Sequence, residues 1–315
     1  MTGDGTEALN ALVEIVKSGR IVAVVGPTAS GKTALACDLA ERVSGEVVSV
    51  DSVQVYQRFD KGSGKPTSDE LARARHHLVS VKNAKVDRID AAEFAALANA
   101  AIDDIRARGK HPILCGGSFL WMKSLLYGLA SAPPADAEVR ARHREIVLAS
   151  GSAELHRQLA AVDPVAGARL HPNDSLRVGR ALEVFELTGR TMSALQDEHR
   201  FGEKRHDAEL VARRIDPAAL TERITRRVVG WLEEGWVDEV RTLALDGYGD
   251  TRPMQSVGYR EVFAHLKGEI PSGELVGAIV RSTRVFARRQ RTWLGSVDVR
   301  WLETPLRILE AEGEV

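Results

Sequence analysis

Apolar residues run unbroken from Ile21 to Val25 and stop at Gly26-Pro27. With Arg20 in front, this short run rich in β-branched side chains predicts a strand buried on both faces over 20–25. Thr33 to Val43 reads as the helix that follows it, and Glu46 to Val50 as a second buried strand. Asp90 in cap position with Glu93 three residues on reads as a capping-box variant, opening an Ala-rich helix that runs to Arg108 and stops at Gly109. His111 to Cys115 then predicts a third strand, ending at Gly116-Gly117. Strand, helix, strand, helix, strand implies an α/β fold with a parallel sheet and right-handed crossovers.

The pattern changes at Ser131-Ala-Pro-Pro-Ala-Asp136, a linker-like stretch. From there to about Arg200 only helical segments follow, broken at Asp163-Pro164 and His171-Pro-Asn-Asp174. The expected organisation is a core made of 1–132 and 201–315 with an inserted all-helical domain at 133–200. Glu209 to Ile215 resumes a strand-like pattern and should rejoin the sheet. Helices then dominate to the end, the last long one capped by Ser272 and closed by Gly295. The first ten residues read as a loose arm.

Length and composition fit this picture. The chain has 315 residues, 44% hydrophobic and 28% charged, enough for one large domain or a core with an insertion. Two cysteines, Cys37 and Cys115, form no Cys-x-x-Cys pair, so neither a disulfide framework nor a zinc knuckle is expected. No apolar run is long enough for a membrane helix and the start lacks a signal-peptide pattern, so the expected location is the cytoplasm. Net charge is −1, and its distribution is uneven: 281–291 is strongly basic, while Glu310, Glu312 and Glu314 make an acidic tail.

Candidate chemistry starts at Gly26-Pro27-Thr28-Ala29-Ser30-Gly31-Lys32-Thr33, which fits G-x-x-x-x-G-K-[ST] and sits between a predicted strand and a predicted helix. Such a loop turns backbone N–H groups around a phosphate, with the helix dipole behind them. Lys32 adds a point charge, and the Thr33 hydroxyl is placed to bind Mg²⁺. Asp51 follows the second strand, at the sheet edge where ligands bind in open α/β folds. It could hold a metal-bound water, accept a proton from a nucleophile, or cap a turn. His76-His77 has no third ligand at suitable spacing and reads as structural, the cysteines as small core residues, and Trp231, Trp236 and Trp293 as helix packing. Arg281, Arg284, Arg288 and Arg291, spaced by three, four and three, line one helix face, with Arg289 off the stripe. That face is either solvated or a track for an RNA backbone.

Taken together, these segments resemble the tRNA dimethylallyltransferases, also called tRNA isopentenyltransferases, over nearly the whole chain. The likeness rests on the 26–33 loop, Asp51-Ser-Val-Gln-Val-Tyr56, Lys65-Pro66, His76-His77-Leu78, Gly116-Gly117, Asp163-Pro164, His171-Pro-Asn-Asp174, Arg180-Ala-Leu-Glu183, Gly258-Tyr-Arg-Glu261 and Arg289-Gln290-x-Thr292-Trp293. The resemblance implies a P-loop NTPase-like parallel sheet with an inserted helical domain that clasps a tRNA anticodon stem-loop. It implies transfer of a dimethylallyl group from dimethylallyl diphosphate to N6 of the adenosine 3′ of the anticodon, with Mg²⁺ as cofactor and a monomer as the working unit. Asp51 would take the N6 proton, with Lys32 and Thr33 beside it. The 26–33 loop with Arg223 and Arg227 would hold the diphosphate. Asp51, Ser52, Val53, Gln54, Ser118, Arg140, Leu176, Arg177, Arg180, Gln255, Gly258, Tyr259, Arg260, Arg281, Arg284, Arg288, Arg289 and Gln290 would touch the tRNA.

The chain departs from the family pattern in places. The usual Gly-Gly-Thr-Gly-Leu-Tyr stands as Gly116-Gly-Ser-Phe-Leu-Trp121, and Asp-Ile-Gly-Thr-Ala-Lys-Pro as Asp60-Lys-Gly-Ser-Gly-Lys-Pro66. Leu176-Arg177 replaces Gln-Arg, and Leu294-Gly295 follows Thr292-Trp293 in place of an aromatic and basic pair. The zinc-finger extension of eukaryotic relatives is not expected, which points to the bacterial type. A P-loop small-molecule kinase would explain the first half but leave the insertion and the arginine face without a role. An adenylate isopentenyltransferase would share the site without needing the basic helix, and an RNA-binding protein would not need an intact Lys32, Thr33 and Asp51.

Overall fold

The computed structural model describes residues 3–200 and 204–303 and divides into two compact units, 1–126 with 205–315 and 127–204. The elements of the first are α1 (Gly3–Lys17), β1 (Ile21–Val25), α2 (Lys32–Val43), β2 (Gly45–Val50), α3 (Ser68–Arg73), β3 (His76–His77), α4 (Ala91–Ala107), β4 (His111–Gly116) and α5 (Phe119–Tyr127). The second holds α6 (Ala137–Ser150), α7 (Ser152–Val162), α8 (Pro164–Arg169), α9 (Ser175–Thr188) and α10 (Met192–His199). The chain returns to the first unit as β5 (Ala208–Arg213), α11 (Pro217–Glu233), α12 (Trp236–Leu245), a 3-10 turn Pro253–Gln255, α13 (Tyr259–Leu266), α14 (Ser272–Leu294) and β6 (Arg300–Leu302).

Six strands form one sheet in the order β3-β2-β4-β1-β5-β6, and every pairing is parallel. The α/β fold read from the sequence is the one observed. On one face, Val22, Val24, Val47, Ile113 and Val211 pack with Leu35, Leu39 and Val43 of α2 and Leu9, Leu12 and Val16 of α1. The N-terminus is therefore no loose arm. Its apolar residues recur at helical spacing, and burying that stripe on α2 offsets the cost of ordering the segment.

Several other expectations need correction. Glu93 does not close a capping box: Asp90 accepts from the Ala92 and Glu93 amides, while the Glu93 carboxylate pairs with Lys82. Ser272 is the first residue of α14 rather than its cap, which is Pro271. Two short edge strands were not anticipated: β6, after the helices that dominate the region past β5, and β3 at His76-His77. Runs of two or three residues show no readable period. The acidic tail lies outside the described residues.

In the helical unit, Leu155, Leu159, Ala166, Val178, Ala181 and Leu182 make a small core. The two sequence breaks are helix starts: Asp163 caps α8 in front of Pro164, and Asp174 caps α9. Glu183 is fully buried there and bonded by Arg140 (2.9 Å) and Arg180 (2.7 Å). Desolvation alone would raise its pKa, but the two guanidiniums and the Asp136 amide outweigh it and hold the carboxyl below its usual range.

Candidate active site

Parallel strands aim their carboxyl ends at one edge, so Val25, Val50, Gly116 and Arg213 deliver the site loops together. The loop after β1 carries Ala29 at φ 62° and Gly31 at φ 78°. Lys32 Nζ donates to Pro27 O at 2.7 Å, folding the lysine back over its own loop. Burial pulls this ammonium down to about 8; Arg227 adds to the fall, while Cys115 and Asp51 oppose it. A buried ammonium with no carboxylate in ion-pair contact among the described residues favours an anionic ligand. Thr33 is the second residue of α2, and its hydroxyl lies within hydrogen-bonding reach of the Cys115 thiol, which burial pushes up to about 12.

Asp51, directly after β2, caps a turn, one of the jobs considered for it. Its Oδ1 accepts from the Val53 (2.8 Å) and Gln54 (3.2 Å) amides, a turn-capping arrangement. Neither of those bonds uses Oδ2, and the residue is only half-buried. One oxygen fixes the carboxylate and the other is left for chemistry. Ser52 and Ser118 close the same turn, with Ser52 N donating to Ser118 Oγ at 2.9 Å.

Arg227 is enclosed near Asp51, and burial lowers its pKa against the opposing carboxylates of Glu70 and Asp51. Arg223, one turn earlier on α11, has a buried Nη1 with no hydrogen-bond partner among the described residues. Arg213 was missed: it is 9% exposed at the end of β5, and its pKa falls through burial and then the nearby charge of Arg223. The sequence signal was an arginine that closes the apolar stretch Leu210–Ala212 of the strand.

The structure redirects several residues expected at the RNA. Gln290 is buried; its Oε1 accepts from Thr28 N and its Nε2 donates to Gly117 O, so it braces the phosphate loop. Tyr259 is fully buried with its hydroxyl on Glu239, and Gly258 is packed against Trp236. Gln54 is tied at both ends, accepting from Ser49 Oγ and donating to Gly64 O. In the helical unit, Arg140 and Arg180 are engaged by Glu183, whereas Leu176 is 82% exposed and Arg177 is also exposed. Gln255, Arg260 and the five arginines 281, 284, 288, 289 and 291 are exposed too. The histidines are structural as read: His77 Nε2 meets Glu46 at 2.6 Å, and His76 Nδ1 meets Ala74 O. Of the tryptophans, Trp236 is core, but Trp231 is half-buried under Arg227 and Trp293 stacks on Phe119 at 4.0 Å.

Mg²⁺ was expected on Thr33. Among the described residues no group of three or more His, Cys, Asp or Glu could hold a metal ion. A hydroxyl at the phosphate loop and no all-protein cage is a donor set that suits Mg²⁺ held mainly by substrate phosphates and water.

Comparison with known proteins identifies a family. The IPP transferase family matches residues 54–296. A tRNA dimethylallyltransferase of Sorangium cellulosum is 60% identical over 287 residues, covering 91% of each chain. One from Geobacter metallireducens is 46% identical over 288 residues, 91% of this chain and 93% of its own. Among solved structures, the tRNA isopentenylpyrophosphate transferase of Bacillus halodurans aligns with TM-score 0.67 at 33% identity, over 93% of this chain and 92% of that one. A eukaryotic dimethylallyltransferase acting on tRNA aligns with TM-score 0.78 at 25% identity, over 93% and 76%.

Proposed function

The chain belongs to the tRNA dimethylallyltransferase (IPP transferase) family, and on that premise we propose that it joins a dimethylallyl group to N6 of the adenosine 3′ of the anticodon. The donor is dimethylallyl diphosphate. The C1–O bond to the diphosphate breaks, the N6–C1 bond forms, the N6 proton passes to Asp51 Oδ2, and pyrophosphate leaves. The observation that carries this reading is the divided Asp51 carboxylate, fixed through Oδ1 by two amides, at a sheet edge that also carries the phosphate loop. An exocyclic amine is a weak nucleophile, so a positioned acceptor for its proton speeds attack.

The leaving diphosphate falls to the 26–33 loop, Lys32, Arg223 and Arg227, whose unpaired charge is preorganised for it. Thr33 would hold Mg²⁺ with the diphosphate, and the ion when bound would neutralise charge on the leaving oxygens. The adenine must leave its stack to reach this edge, so the enzyme flips it out. Exposed Arg281, Arg284, Arg288, Arg289 and Arg291 supply phosphate contacts, with Leu176 and Arg177 of the helical unit at the stem-loop. No helix among the described residues is long and apolar enough to cross a membrane, which suits work on tRNA in the cytoplasm.

The test is product mass. With Mg²⁺, dimethylallyl diphosphate and an anticodon stem-loop, one adenosine should gain one dimethylallyl group. AMP in place of RNA should give no product, and ATP as donor none either. Prenylated AMP would favour the free-nucleotide reading, and phosphorylated product a kinase.

A further inference from the structure

Arg227 has an unusual seat. Its guanidinium lies over the face of Trp231, with Cζ 4.3 Å from the ring centroid. At its Nη2 edge, on the Trp231 side, is Gly64: a methyl group there would stand 1.9 Å from Arg227 Nη2 and 3.0 Å from Cζ, and 3.4 Å from Trp231 Cζ2. Gly64 also sits at φ 61°, which side chains rarely adopt. It is one of the positions where the chain departs from the family pattern.

Neither wall of the seat is free to drift. Trp231 meets the buried Trp236 edge-on at 5.5 Å. Gly64 O accepts from Gln54 Nε2 at 2.6 Å, and the Gln54 amide is one of the two that fix Asp51 Oδ1. The carboxylate turn, the 60–66 loop and α11 are therefore linked through one glutamine and one glycine, and the arginine they enclose faces Asp51 and Lys32 electrostatically.

We propose that Gly64 and Trp231 are positioning residues that form a saddle for Arg227, setting its guanidinium where the diphosphate arrives. This rests on the reading of Arg227 as a diphosphate ligand. Aromatic faces hold a guanidinium by stacking and charge–quadrupole attraction without consuming its N–H donors, which stay available to phosphate oxygens. A carboxylate in the same place would compete with the substrate, and an aromatic ring does not.

A double-mutant cycle on the full chain, read by calorimetric binding of inorganic pyrophosphate in Mg²⁺, tests the saddle. Trp231→Leu and Gly64→Ala should each weaken pyrophosphate about 3- to 30-fold, and raise KM for dimethylallyl diphosphate in step, with stem-loop affinity unchanged. Trp231→Phe keeps an aromatic face and should recover most of the loss, even if Trp231→Leu folds poorly. In an Arg227→Ala background, Trp231→Leu and Gly64→Ala should add less than about twofold. Equal losses with and without Arg227, or no loss in either variant, would overturn the saddle. Turnover of the wild type judges the proposed function separately: an inactive wild type with a non-additive pyrophosphate cycle keeps the saddle and removes the prenyl-transfer reading.

Discussion

Gln290, on the last long helix, accepts a hydrogen bond from the Thr28 amide of the phosphate loop at 2.9 Å across 262 residues of sequence. Its amide nitrogen donates at 3.0 Å to Gly117 O, and the missing side chain at Gly117 makes room for it, since a Cβ there would lie 2.3 Å from that nitrogen. One side chain therefore pins the loop after β1 to the loop after β4. Gln290→Leu would leave a loop N–H without its partner, a loss of about 1–3 kcal/mol. Pyrophosphate binding should weaken roughly tenfold, while stem-loop affinity stays within about twofold because Gln290 is buried. Calorimetry with each ligand separates the two. A variant that loses RNA and keeps pyrophosphate would return Gln290 to the RNA surface.

Asp51→Asn keeps an oxygen for the Val53 and Gln54 amides but cannot take a proton. Melting temperature and RNA affinity should hold, and the single-turnover rate with saturating RNA should fall about 10²–10⁴-fold. Wild-type turnover would leave Asp51 as a turn cap and nothing more.

The depressed Lys32 pKa gives a signed pH dependence. Its ammonium titrates near 8 in the folded protein, against 10.5 as the reference value. Between those values the unfolded chain binds more protons, so this group's contribution to stability rises with pH across that window. Below about 8 it is a constant penalty. Donor binding runs the opposite way, because the diphosphate needs the charged form: pyrophosphate Kd should climb by up to about tenfold per pH unit above 8. Lys32→Arg stays charged and should flatten that climb, whatever it does to the affinity itself. A climb that persists unchanged in Lys32→Arg would assign it to another group.

Each arginine of the exposed stripe that meets a phosphate should contribute about 0.7–0.9 to the slope of log K against log [salt]. Arg281→Ala, Arg284→Ala, Arg288→Ala and Arg291→Ala should therefore flatten the slope singly, and equally for two unrelated stem-loops, since backbone contacts do not read bases. Unchanged slopes would make the face a solvated one. A loss confined to one stem-loop would make these residues base readers.

The local chemistry of this protein was already determined by its sequence. The apolar run 21–25 ending in Gly-Pro specified a strand and a phosphate loop together, and Asp51 after the next strand marked the sheet edge, because both depend on neighbours within a few residues. The arginine stripe was legible for the same reason, through helical spacing alone. Tertiary structure decided what those rules do not reach. The first residues form a helix because α2 supplies a surface for their apolar stripe, and β3 and β6 exist because a sheet edge was there to pair with. Gln290, Tyr259 and Gln54 carry polar groups that suit an RNA contact equally well on paper. The fold bonds them instead to Thr28, Glu239 and Gly64: Gln290 and Tyr259 are buried and Gln54 half-buried, and a polar group drawn away from water is bonded by whatever the fold places beside it. Trp231 divides between the two: it stands four residues after Arg227 on α11, so helical spacing alone brings the arginine to its face, and only the fold brings Gly64, some 167 positions away in the chain, against the pair.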